Sequence, residues 1–372
     1  MFFVYTGILF SYLLITIIIP LPAPVYLKAC LGLLLLAGTQ LHYVSRKISG
    51  MMIANYPKPL LYAWEYLFAF AVILFLISLP VNLVKAFTWL LSLNTIFEAV
   101  NSTSAQYGLI GISALLAFYS FYQGNKVPLV KRKTIILKNW PNALNGFTIA
   151  QLSDLHVSNL LTQKWLSSVV SQTNALNPDI IVITGDFTDG FPSMYAENIK
   201  PLKTLSAHHG VYGCLGNHDY YYDYDGWTKE YRKNGVHLLI NEHVEISKQS
   251  HSFILAGVAD PAAKAHHQAS PDIKKAIGCV ESKAIILLDH RPDSIYENAK
   301  AGVDLQLSGH THGGMMPLLA QIVKKANKGF NSGHYFVEGA QLYLSNGTGI
   351  WNGFPLRLGY PAEITLLTIK NK

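Results

Sequence analysis

The sequence predicts an α/β domain of two sheets with helices outside, preceded by an all-α transmembrane region of about four helices. Three observations predict it. Half of the 372 residues are hydrophobic and 14% are charged, which excludes a disordered chain. The charge is unevenly spread: residues 1–125 hold 7 charged side chains, of which Glu65 and Glu98 are the acids, against 44 in the following 247. From Lys133 onward the pattern turns to short apolar β-rich runs, alternating with amphipathic segments early and following one another later. The boundaries that follow are a transmembrane helical region 1–125, a basic juxtamembrane linker with the first strand at 126–146, and a soluble domain 147–372 long enough to bury its own core.

Within the first third, Phe2 to Leu27 carries no charged side chain, and about 20 apolar residues suffice for one crossing. It lacks the basic start and small-residue end of a cleaved signal, so uncleaved anchoring is expected. Pro24 to Val44, Leu60 to Val84 and Tyr107 to Gln123 are the second to fourth candidates, with a bend foreseen at Pro80 and Glu65 expected at headgroup level. Phe87 to Val100 is short and reads as a re-entrant or interfacial helix. With four crossings, the side of the soluble domain holds eight Lys and Arg: Arg46, Lys47, Lys58, Lys126, Lys131, Arg132, Lys133 and Lys138. Two, Lys28 and Lys85, lie opposite. This predicts a cytoplasmic domain, and counting the short segment as a fifth crossing keeps it inside.

The net charge of +7 is better explained by that juxtamembrane cluster than by nucleic acid. Cys30, Cys214 and Cys279 lie far apart without a C-x-x-C spacing and read as small core residues. Strands are predicted at Thr134–Leu137, Phe147–Leu152, Ile180–Thr184, Val211–Leu215, Ser252–Val258, Ala284–Leu288, Asp304–Leu307, Gln341–Leu344 and Ile364–Ile369. Helices are predicted at Gln163–Leu176, Asn198–Ser206, Trp227–Asn234 and Asp293–Ala301.

Five apolar runs end in residues of metal-ligating type. They are SDLH at Ser153–His156, GD at Gly185–Asp186, GNHD at Gly216–Asp219, DH at Asp289–His290 and GHTH at Gly309–His312. Ligands at the carboxyl ends of strands converge on one rim of a sheet, where α/β folds carry their chemistry. Any one of these fragments is weak evidence, but five in order are not a coincidence of composition. Imidazole mixed with carboxylate and amide oxygen suits Mn²⁺, Fe or Zn²⁺.

In this order and spacing, SDLH, GDFTD, GNHD, LLDH and SGHTH resemble the metallophosphoesterase superfamily, the calcineurin-like phosphoesterases, from about Thr148 to the C-terminus. LSDLHV, GNHDYY, LDHRPD, SGHTHGG and SNGTG before a Pro-x-Glu-Ile strand are similar to its membrane-associated bacterial branch. The resemblance implies a four-layer α/β/β/α sandwich and a two-metal phosphoesterase. Asp154, His156 and His312 would bind one divalent ion, Asn217, His290 and His310 the other, and Asp186 would bridge them. Phosphoester hydrolysis would then proceed by in-line attack of a hydroxide held between the ions. The glycines at 309, 313 and 314 are expected to bend the H-x-H segment so that each imidazole reaches its own ion.

His218 resembles the family's general acid, with Asp219 holding its ring. Arg291 and Asn217 are expected to meet the substrate, though Arg291 equally suits a surface ion pair. Asp189 is either a partner of a ligand or a loop carboxylate, and Asp289 is either a partner of its neighbouring ligand or solvated. Nine further histidines read as exposed or satisfied. Tyr220, Tyr221, Tyr222 and Tyr224 suit either a base or sugar or the packing of their own loop. Met315 to Ile322, followed by Lys324 and Lys325, reads mainly as core, with a dip into the membrane interface as the other reading.

The membrane region, the metals and the branch together point to the bacterial inner membrane. They also make a lipid-linked phosphodiester or pyrophosphate, such as UDP-diacylglucosamine, the economical substrate. A nucleotide or a phosphomonoester would fit the same metals. Two rivals from other classes are a metal-free binding or scaffold module on the same fold, and an effector domain of a membrane sensor. Filled ligand positions speak against the first, and the scarcity of acids in residues 1–125 against the second.

Overall fold

The structure is a computed structural model and describes residues 2–51, 56–248, 250–279 and 283–372. It divides into two compact units, Met1–Gln123 with Asn352–Leu356, and Gly124–Trp351 with Arg357–Lys372.

In the first unit, three helices are long and apolar enough to cross a membrane: Val25–Ser49, Lys58–Leu90 and Thr103–Asn125. The first apolar segment is shorter than expected. Its helix Phe2–Leu13 runs through a π-turn and stops at Ile18. Pro20, Pro22 and Pro24 follow, and proline withholds an N–H and clashes with the preceding turn. Lys58–Leu90 has 33 residues, about 50 Å at 1.5 Å per residue, and continues through Pro80. The segment read as interfacial is divided between the end of that helix and Asn94–Asn101, which buries none of its residues. Large apolar side chains such as Leu83, Leu90, Leu115 and Phe118 stand outward, as a lipid surround requires.

Glu65, expected at headgroup level, lies inside the helical unit. It is fully buried, and one carboxylate oxygen lies 2.8 Å from His42 Nε2 on the neighbouring helix. Phe68 and Trp64 flank the imidazole. A buried carboxylate demands a partner, and His42 supplies it from 23 positions upstream, beyond the reach of any local sequence pattern.

Among the described residues the second unit holds twelve strands: β1 (Leu129–Leu137), β2 (Phe147–Leu152), β3 (Ile180–Thr184), β4 (Val211–Cys214), β5 (His237–Leu238), β6 (Glu242–Lys248), β7 (His251–Gly257), β8 (Ile285–Leu288), β9 (Leu305–Ser308), β10 (Gly333–Val337), β11 (Ala340–Leu344) and β12 (Glu363–Asn371). They form two six-stranded sheets, ordered β1-β12-β2-β3-β4-β5 and β10-β11-β9-β8-β7-β6. The first is parallel except at β12–β2, and the second keeps β11, β9, β8 and β7 parallel between antiparallel outer pairs.

The core follows from strand periodicity. Phe147 and Ile149, Ile180 and Val182, Phe253 and Leu255, and Ile286 and Leu288 all point into one cluster between the sheets. The alternate residues Ile254, Ala256, Ile285 and Leu287 face outward, against the helix Ile273–Ile277. Both faces are buried, so the sequence reads as unbroken apolar runs. Helix Gln163–Asn174 buries Trp165, Leu166, Val169 and Val170, giving the helix-flanked sheet pair that the resemblance implied. Cys214 is core, whereas Cys30 and Cys279 are exposed, contrary to expectation. The basic stretch read as a linker is largely β1, whose Lys131 pairs with Glu363 at 2.8 Å.

Glu65→Leu, which leaves His42 without that acceptor, is expected to cost about 3 kcal/mol, and His42→Leu with Glu65→Leu to recover most of it. Thermal unfolding in detergent measures both. An unshifted midpoint in the single variant would sink the pairing.

Candidate metal centre

Strand order decides which side chains meet. β2, β3 and β4 are parallel neighbours in one sheet and β8 and β9 in the other, so their carboxyl ends share one rim. Asp154 and His156 follow β2, Asp186 follows β3, Asn217 follows β4, His290 follows β8, and His310 and His312 follow β9.

A regular strand would send Asp154 and His156, or His310 and His312, to the same face in step with its pleat. Each instead sits in a turn. Asp154, His156, Asp186, His310 and His312 have φ of 50°, 44°, 54°, 71° and 50°. Left-handed backbone costs a non-glycine residue about 1–3 kcal/mol. Cross-strand bonds hold part of this strain, from Asp154 N–H to Gly185 O at 3.0 Å and from His156 N–H to Asp186 O at 3.0 Å. Gly313 and Gly314 take φ of 65° and 75°, as the bend foreseen for H-x-H requires. Gly309 serves by its bareness, because a Cβ there would strike Ser153 Oγ and the Asp154 carboxylate.

The resulting rim contains two imidazole pairs. His156 Nε2 lies 3.1 Å from His312 Nε2, and His290 Nε2 lies 3.3 Å from His310 Nδ1. Asp154 Oδ1 is 3.4 Å from His312 Nε2, while Asp186 Oδ2 is 3.7 Å from His156 Nε2 and 3.3 Å from His290 Nε2. Asp186 thus stands between the pairs. Two groups, Asp154 with His156 and His312, and Asp186 with His290 and His310, bring one donor atom from each residue close enough to share an ion. His290 Nδ1 donates to Thr184 O at 2.8 Å, and His156 Nδ1 donates to Asp189 Oδ1 at 2.9 Å, so both rings present Nε2 to the rim. Asn217 Oδ1 is buried with no hydrogen-bond partner, while its Nδ2 donates to Tyr221 Oη at 3.1 Å. An orphaned buried oxygen on a turn at such a rim fits a cation.

A model of the family described as calcineurin-like phosphoesterase matches residues 147–314. An uncharacterized metallophosphoesterase of Campylobacter jejuni is 32% identical over 289 residues, 77% of this chain and 72% of that protein. One of Aquifex aeolicus is 30% identical over 267 residues, 70% of this chain and 98% of its relative. This chain belongs to the calcineurin-like metallophosphoesterases. A Danio rerio relative described as a transmembrane protein with metallophosphoesterase domain is 32% identical over 284 residues, 73% of this chain but only 65% of that longer protein. Metallophosphoesterase domains are phosphoric ester hydrolases that use two divalent metal ions, and this chain has His/Asp clusters that could hold them.

The surroundings of this metallophosphoesterase rim correct two expectations. His218 Nδ1 is held by Asp189 Oδ1 at 2.5 Å, and not by Asp219. Asp219 instead accepts from the backbone N–H groups of Gly216, Asp186 and Phe187 and from Tyr231 Oη, at 2.8 to 3.0 Å. Four donors tie it into the seam between two ligand turns. Arg291 makes a two-point pair with buried Asp260, at 2.8 and 3.2 Å, and its side chain stays partly exposed. Asp289 is buried and accepts from Asn298 at 3.0 Å and from Ser294. Burial pushes its pKa up to about 6, and its partners are structural.

Among the tyrosines, Tyr220 is buried and stacks on Tyr224, whereas half-exposed Tyr221 lies against the His218 ring. Trp351 approaches His218 from another side, at 6.4 Å between centroids.

Arg357 was not foreseen. Fully buried, it donates to His312 O at 2.7 Å, to Gly349 O at 2.7 Å and to His312 Nδ1 at 2.9 Å. Guanidinium is only a donor, so His312 Nδ1 accepts, and the neutral ring carries its proton on Nε2, toward His156. Its position between SNGTG and the last strand was visible, but a lone arginine in a glycine-rich loop reads as solvated until the fold closes around it.

Charge is arranged accordingly. Burial opposes a charge on His218, yet Asp189 and Asp186 push its pKa up to about 9. His290 is likewise raised to about 10, chiefly by Asp186 against burial. Burial and His290 hold His310 well below the usual imidazole range, and burial and Arg357 do so for His312. Burial alone would raise Asp189, but His156 and His218 keep it low.

Asp189→Asn is expected to weaken metal binding about 10- to 100-fold, as loss of a ligand's hydrogen-bond partner does. Chelator competition on the purified protein measures this, and unchanged affinity would remove Asp189 from the centre.

Proposed function

We propose that this protein is a membrane-anchored dinuclear phosphoesterase whose substrate is lipid-linked, with residues 1–125 as anchor, 126–146 as the entry to the sheet and 147–372 as the catalytic domain. The observation that carries the reading is Asp186 Oδ2, within 3.7 Å of an imidazole nitrogen from each pair. Asp154, His156 and His312 would hold one divalent cation, and Asn217, His290 and His310 the other, with Asp186 in reach of both. Manganese, iron or zinc in these places would supply the nucleophile and neutralise charge developing on the phosphoryl oxygens. The protein's own residues do the rest. His218, held through Nδ1 by Asp189, gives the proton on Nε2 to the leaving oxygen. Asn217 keeps its amide turned by Tyr221, and Tyr221 and Trp351 flank the His218 ring to shape the entrance.

A phosphodiester, a pyrophosphate or a monoester satisfies this chemistry. The three apolar helices favour an ester that shares the bilayer with the enzyme, of which UDP-diacylglucosamine is an example. The excess of Lys and Arg beside the catalytic domain supports a cytoplasmic face, at the inner membrane of a bacterium.

Detergent-purified protein, metal-stripped and then given Mn²⁺, Zn²⁺, Fe²⁺ or Mg²⁺, is expected to hydrolyse bis-p-nitrophenyl phosphate, with Asp186→Asn inactive and depleted of metal. Silence with every metal, in a protein that binds no ion, would overturn the reading. His218→Asn is expected to retain metal and to slow alkyl diesters by about 10²- to 10⁴-fold, with much less effect on p-nitrophenyl esters. An alkyl diester turned over at the normal rate would remove His218 as the acid. For orientation, an Asn145→Cys variant with Cys30→Ser and Cys279→Ser is expected to resist an impermeant thiol reagent in intact cells. Its modification there would put the domain outside.

A further inference from the structure

Between its last ligand-bearing turn and β10 the chain makes an excursion unlike the rest of the catalytic unit. It leaves the His310–His312 turn at Met316, forms the helix Pro317–Ala326 and returns at Asn331. It begins as a continuation of the turn and its return is fastened there: Thr311 Oγ1 donates to Asn331 O at 2.7 Å, and Asn331 Nδ2 donates to Gly313 O at 2.9 Å. Ala320 is the one residue of the helix that is buried. Leu318 and Ile322, one turn apart on the outer face, are 63% and 65% exposed, so the reading of Met315 to Ile322 as core holds for Met315 and Met316 but not for the helix. Lys325 continues the same stripe at the next turn, with Lys324 beside it. From Pro317 to Phe330 the chain contains no acid.

We propose that this helix is an interfacial anchor. It lays Leu318 and Ile322 into the boundary between headgroups and acyl chains of an anionic bilayer, with Lys324 and Lys325 at the level of the lipid phosphates. The inference rests on the membrane-embedded reading of the helical region and deepens it. An apolar stripe that ends in lysines and lacks any acid is complementary to an anionic lipid surface, and the helices of the same chain keep a bilayer within reach. Because the excursion continues from the turn bearing His310 and His312 and its return is fastened there, docking the helix holds the metal rim at headgroup height. A phosphoester carried by a lipid then reaches the rim without its acyl chains leaving the membrane.

The test uses the full chain with Cys30→Ser and Cys279→Ser, bearing Ile322→Cys labelled with bimane, in nanodiscs of phosphatidylcholine with or without about 30% phosphatidylglycerol. Lipids spin-labelled near the headgroup are expected to quench the label about twofold or more in the anionic discs, and Lys324→Glu with Lys325→Glu to abolish this. A label open to aqueous iodide and untouched by lipid quencher in both discs would overturn the proposal. Shielding from both quenchers would also overturn it, in favour of a protein surface on that face. Quenching needs no turnover: an inactive protein that is quenched loses the enzymatic reading and keeps the anchor, and an active one that is not quenched does the reverse.

Discussion

Three carboxylates, Asp154, Asp186 and Asp189, share one buried rim with five imidazoles, and holding these charges side by side is the constraint around which the catalytic unit is built. Charge of one sign does not gather out of water unless each group is paired or hydrogen-bonded. Here the strands end early and the chain turns left-handed at five residues to aim them. Asp219 then stitches the turns together through four donors, and Arg357 clamps His312 from behind. The sheets can be apolar on both faces because this polar machinery sits past their ends, where backbone groups are no longer committed to the ladder.

Interior strands were legible and edges were not. β2, β3, β8 and β9 are runs of Ile, Leu and Val bounded by turn residues, since both of their faces are covered. The four sheet edges are β1, β5, β10 and β6. β5, β6 and β10 were missed, and β1 was recognised only in its apolar half. An edge strand has one solvated side and tolerates charge there, which discourages pairing with other chains. Lys131, Arg132 and Lys133 in β1 and Glu242, Glu245 and Lys248 in β6 are such residues, and a pattern search reads them as linker or loop.

At the centre, the residues in the motifs were found, and the errors concern how they are supported. Sequence proximity suggested that Asp219 orients His218, one position away. The ring is held by Asp189, brought in by the neighbouring parallel strand. Arg357 lies 45 positions from the histidine it contacts, and Asp260 lies 31 from Arg291. The same holds in the helical unit, where His42 answers Glu65. Supports of this kind are long-range by nature, because a side chain that fixes a turn must come from outside it.

Asp189 offers a single oxygen, Oδ1, to two rings at once, the proposed ligand His156 and the proposed acid His218. Natural variation at this position therefore cannot adjust the hold on metal while leaving proton delivery alone. Any drift in one function is inherited by the other, so substitutions near Asp189 are selected jointly and their effects fail to add.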